Sequence, residues 1–142
     1  MKYAQTTAIE LSENIKEIGK NACLAMCYLY CAGIDPQNEI EYLRLVNSAI
    51  KEHILEKDCT VKDADLFLKW ITGRKTTVIK KTVASIKNII EPTPVRYVAK
   101  GYSGHWVVVE NGKIAFNSLA NSVNVTKGEP VEARVIKWGF KV

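Results

Sequence analysis

Asn111-Gly112 lies between two β-rich runs, HWVVVE and KIAFNS. A two-residue type I′ turn needs positive φ at both central positions, and Asn-Gly is among the pairs that accept this most readily. The stretch from Ser103 to Ser118 therefore reads as a β-hairpin. With a two-residue loop, Glu110 faces Lys113, Val109 faces Ile114, Val108 faces Ala115, Val107 faces Phe116 and Trp106 faces Asn117. His105 then lies diagonally beside Asn117 and directly opposite Ser118, where long side chains can touch. Gly104 removes bulk just before the histidine and leaves its approach open.

The first half of the chain reads as helical. Ile9, Ile15 and Ile18 give a weak amphipathic pattern from about residue 8 to 18, which Gly19 interrupts. Asn21 is a good N-cap for a second helix, Ala22 to about Ala32, closed by Gly33. That helix is apolar nearly all round, so it is expected to be the central buried one. Asp35-Pro36 opens a third helix reaching roughly Glu56, with Leu43, Val46, Ile50 and Ile54 as its inner stripe. Thr60-Val61-Lys62-Asp63 resembles a capping box with Asp in place of Glu, before a helix to about Thr72 that Gly73 closes. On this helix Phe67 and Trp70 read as core.

The second half turns to strand. TTVIKK is β-branched, TVASIKNII fits a strand or a helix, and Pro92 and Pro94 separate it from VRYVAKG. HWVVVE, KIAFNS and VEARVIKWGF come after it. Helices first and a mainly antiparallel sheet afterwards predict an α+β fold, as one domain over residues 1–142.

No apolar run approaches the roughly 20 residues that span a bilayer, so no membrane role is expected. MKYAQTTAIELSEN lacks the apolar core of a signal peptide, and cytoplasmic residence is the expectation. The net charge of +5 is spread along the chain, with one local cluster from Lys69 to Lys87. A nucleic-acid footprint needs such charge on one face, so the dispersion argues against it. Of the four cysteines, Cys23, Cys27 and Cys31 recur every four residues and line one helical stripe. Their spacing is not a paired C-x₂-C pattern and the chain has two histidines, so no metal site is expected.

An imidazole whose one nitrogen meets an amide oxygen has its tautomer fixed, and the other nitrogen is free to take a proton. His105 with Asn117 is thus half of a cysteine-nucleophile site. A reactive thiol belongs in the first turn of a helix, where unpaired N–H groups lower its pKa. Cys23 meets that condition, Cys27 and Cys31 lie deeper, and Cys59 before the next helix is the reserve candidate. Trp106 is placed either as a wall of the cleft or as a packed strand aromatic.

GKNACLAMCYLY with GHWVVVENGKIAFNSL far downstream resembles the papain-like cysteine peptidase superfamily. The similarity is to the bacterial double-glycine leader peptidase domains and to small bacterial and phage proteins sharing that core. The resemblance implies a papain-like α+β core over most of the chain, and cleavage of peptide or amide bonds through a thioester without a cofactor. It makes His105 the base and Asn117 the orienting residue. It places the nucleophile in three ways: at Gly19, at Lys20, or at Cys23. The superfamily's oxyanion glutamine lies six residues earlier. That is Glu17 for Cys23, a carboxylate that can only accept hydrogen bonds. For Lys20 it is Asn14, a usable amide.

Three functions stay open on the sequence. One is a thiol hydrolase of peptides or proteins using Cys23, His105 and Asn117. Another is an inactive copy whose cleft binds a peptide or partner protein, with Glu17 or Lys20 as recognition groups. The third is a basic module using Lys69, Arg74, Lys75, Lys80 and Lys81 on nucleic acid or another acidic partner.

Overall fold

The computed structural model describes residues 3–6 and 21–141. The expected helix over residues 8–18 lies outside them, as do Asn14, Glu17, Gly19 and Lys20. Helices come first: α1 (Cys23–Cys31), α2 (Glu39–Lys51) and α3 (Ala64–Thr72). After them come β1 (Arg74–Thr82), β2 (Thr93–Val98), β3 (His105–Glu110), β4 (Lys113–Phe116), the short α4 (Val123–Lys127) and β5 (Glu129–Lys141). The strands form one antiparallel sheet in the order β1-β5-β2-β3-β4. The α+β expectation is met, with the last strand inserted between β1 and β2.

α1 is the central helix, with Ala25, Met26, Cys27, Tyr28 and Leu29 all fully buried in sequence. Such a run has no solvent face, so α1 is held by packing on all sides. Its start differs from expectation. Ala22, fully buried, holds the N-cap position and no side chain caps the end. Cys23 is therefore the first helical residue, and burial rather than an Asn21 cap sets the boundary. α2 also starts later than Asp35-Pro36, which forms a turn instead; Asn38 caps the helix by accepting the Glu41 N–H. It ends at Lys51, and His53 lies just beyond in a left-handed turn at φ 60°. Tyr42, Leu43, Val46 and Ala49 are its buried side. At α3 the cap is Asp63 itself, which accepts the Leu66 N–H at 3.1 Å; Gly73 closes the helix as expected.

β3 is buried on both faces. Val108 packs with α1, α2 and α3, and Trp106 lies against the same core. Val107 and Val109 pack on the other side with Val95, Tyr97 and Ala133. The segment TVASIKNII forms no helix. It lays Val83, Ile86 and Ile89 over this second cluster, and its Ile89 and Ile90 carbonyls accept the N–H groups of Gly112 and Asn111. β2 begins at Thr93 and takes in Pro94, which faces Val108 and lies outside the registered pairing with β5.

The hairpin turn forms as its sequence dictates, with φ of 53° at Asn111 and 76° at Gly112. Glu110 faces Lys113 and Val109 faces Ile114. The register then slips, and Val108 faces Phe116 rather than Ala115. Ala115 is the extra residue of a β-bulge, and a one-residue slip moves every later side chain of the strand to the opposite face. Phe116 gains by it: 1% exposed, it stacks on Tyr30 at 5.2 Å between ring centres and meets Tyr42 at 5.6 Å.

Phe116→Ala removes the ring joining α1, α2 and β4, and is expected to lower the unfolding free energy by about 3–5 kcal/mol. Phe140, 91% exposed, serves as the control; its change to Ala should stay within about 0.5 kcal/mol. Urea denaturation of the two variants measures both values.

Candidate functional site

His105 opens β3 directly opposite Tyr97 of β2. Alternation along the strand sets its side chain with Val107 and Val109, on the face away from Trp106 and Val108. Asn117 comes immediately after Phe116, so the bulge at Ala115 delivers it to that same face. The two side chains meet there: His105 Nε2 lies 2.7 Å from Asn117 Oδ1, and both residues are buried. Asn117 Oδ1 also accepts the Leu119 N–H at 3.1 Å. Since a backbone N–H only donates, the atom it meets is the amide oxygen. His105 must then donate from Nε2, which leaves Nδ1 as the acceptor. Burial pushes the His105 pKa below the usual histidine range, against the raising effect of the Asn117 hydrogen bond.

The chain near residue 5 braces this pair from the next position along. Gln5 N–H donates to the Ser118 carbonyl at 2.8 Å, the Ser118 hydroxyl donates to Gln5 Oε1, and Ala120 N–H donates to Thr6 Oγ1 at 3.0 Å. The regular hairpin register sets Ser118 opposite His105; in the structure it turns instead to Gln5.

Cys23 is half-buried at the tip of α1. Burial raises its thiol pKa, and three backbone N–H groups, of Trp106, Leu24 and Cys23 itself, pull the other way, with the charge of Arg96 adding to them. Burial is the largest of these effects, and the thiol lies above its ordinary range. Cys27 and Cys31 are raised as well, both chiefly by burial. The tip of α1 thus reaches β3 at the Trp106 backbone, one residue from His105.

Cys23 and Trp106 line a cleft of about 760 Å³, which also takes in Cys59, Arg96, Gly104 and Arg134. Gly104 has φ 104°, a conformation that strains any residue with a side chain. The space beside it is not open. A Cβ there would lie 2.6 Å from Arg96 Nε, so the missing side chain makes room for the guanidinium. Arg96 in turn donates to the Ser103 carbonyl. The Arg134 guanidinium lies 4.9 Å from the centre of the Trp106 ring, and Trp106 both lines the cleft and packs against the core. Sequence alone does not single out Arg96 and Arg134, because their strands meet only through the non-sequential order of the sheet. Among the described residues no three His, Cys, Asp or Glu side chains gather as a metal site, and no helix is long and apolar enough to cross a membrane. No family model, curated protein or solved structure matches the chain.

The lowered His105 pKa fixes a pH dependence. The unfolded ring titrates near about 6.5, and the folded ring below that, so the unfolded chain takes up the proton first as pH falls. The stability held by the neutral pair is complete above about pH 6.5 and is lost as pH drops through the folded value. His105→Gln keeps a donor for Asn117 and removes the titration. Urea unfolding at pH 7.5 and 5 should show the wild type losing more stability than the variant; parallel losses would contradict the assignment.

Proposed function

We propose that the chain is a papain-like protein whose cleft binds a peptide segment of a partner without cleaving it. The observation that carries this reading is the division of the site across β3. Cys23 lines the cleft with Trp106, and neither His105 nor Asn117 does. The His105–Asn117 pair stands with Tyr97 on the other side. A thiol hydrolase needs a thiolate beside its imidazole, with the base within hydrogen-bond reach. Burial here opposes both charges of such an ion pair, raising the thiol and lowering the imidazole. Fold and cleft support binding, and the resemblance to papain-like domains supplies the peptide as its object.

One observation favours the hydrolase as a second reading. Asn117 holds His105 with Nδ1 as the free acceptor, which is the disposition of a general base. In that reading Cys23 attacks the peptide carbonyl, His105 takes its proton and returns it to the leaving amine, and Asn117 orients the ring.

Alkylation by iodoacetamide separates the two. The binding reading expects Cys23 to react more slowly than glutathione at pH 7, with a rate that climbs only above the ordinary thiol range of about 8.5. It also expects Cys23→Ala to bind peptide as the wild type does. Fast labelling of Cys23 alone, with a plateau below pH 7 that His105→Ala abolishes, would establish the hydrolase instead.

A further inference from the structure

The cleft has a charge pattern that the peptide-binding reading does not itself require. Its walls carry Lys62, Lys80, Arg96 and Arg134. Three of these come from different strands and converge because β5 lies between β1 and β2. Lys80 sits directly opposite Arg134, and Arg96 directly opposite Trp106. Asp63 and Asp65 also line the cleft, beside Lys62, and both carboxylates are held by hydrogen bonds. Asp63 caps α3 through the Leu66 N–H, and Asp65 accepts the Val78 N–H at 3.0 Å and the Thr76 hydroxyl at 3.2 Å. Arg134 is paired with Glu132 at 2.6 Å. Among the described residues neither Lys62 nor Lys80 pairs with a carboxylate.

We propose that the occupant of this cleft is an acidic peptide segment, its Asp or Glu carboxylates held by Lys80, Arg96 and Lys62. The inference rests on the peptide-binding reading and adds the chemistry of the ligand. Charge-assisted contacts to carboxylates are the strong ones, and a row of cations on a sheet steers such a ligand in. The volume of about 760 Å³ suits a short stretch of chain better than a lone ion. One feature favours peptide over nucleic acid: the Trp106 face that would stack a base is covered by the Arg134 guanidinium.

A random octapeptide library captured on the immobilised protein tests this. The expected result is enrichment of Asp and Glu among the captured peptides. Affinity for a synthetic peptide from that set should fall about tenfold in the Lys62→Gln/Lys80→Gln double variant. Lys51→Gln/Lys113→Gln removes the same charge from sites that do not line the cleft and should change affinity less than about twofold, by the weakness of distant screened charge. Captured peptides without acidic enrichment would overturn the inference and leave the peptide-binding reading standing. Equal losses in the two double variants would overturn it as unspecific attraction. Displacement of the acidic peptide by a single-stranded oligonucleotide at lower concentration would overturn it in favour of nucleic acid. No capture of any peptide would remove both readings together.

Discussion

β3 has no exposed face, and the rest of the structure depends on that. A strand with valines buried on both sides needs two separate covers. α1 supplies one, and it can do so only because it is apolar around its whole circumference and is itself enclosed by α2 and α3. The segment between β1 and β2 supplies the other with three apolar side chains, Val83, Ile86 and Ile89, and no regular structure. The bulge at Ala115 then settles which side chains each face receives. It sends Phe116 to the tyrosines of α1 and α2, and Asn117 to His105. Without the slip, Asn117 would face Trp106 and the histidine would lose its partner.

The same burial governs the chemistry. Desolvation disfavours whichever form is charged, so it raises a thiol and lowers an imidazole. Backbone N–H groups and Arg96 work against it at Cys23, and Asn117 works against it at His105, and in both cases burial is the larger effect. The result is a thiol shifted up and a ring shifted down, both beside the same strand. The charge in this region belongs instead to arginine and lysine on the cleft walls. Gly104 contributes by giving up its side chain to the Arg96 guanidinium, so the residue just before the histidine serves the cleft rather than the ring.

Local chemistry is legible in the sequence and non-local pairing is not. Asn111-Gly112 announces its turn because few residues take positive φ, and Gly73 announces the end of α3 in the same way. The all-apolar run of α1 announces a central helix. The sequence also points to the contact of His105 with Asn117, but through a regular register that would set them on opposite faces. Nothing around Ala115 signals a bulge; it is selected by where Phe116 finds tyrosines, far away in the chain. Asp63 reads as the end of a capping box and is the cap itself, because the chain before it stays extended. Arg96, Arg134 and Lys80 carry no local signal of a shared site. They become neighbours only once β5 enters between β1 and β2, a choice no short stretch encodes.

The division of thiol from ring turns on which side of β3 the imidazole occupies. Nuclear Overhauser contacts of the His105 ring protons in solution measure this directly. The expected contacts are to the Tyr97 ring and to the Asn117 side chain. Contacts to the Cys23 β-protons in place of Tyr97 would contradict the division, and would bring thiol and imidazole together on one side.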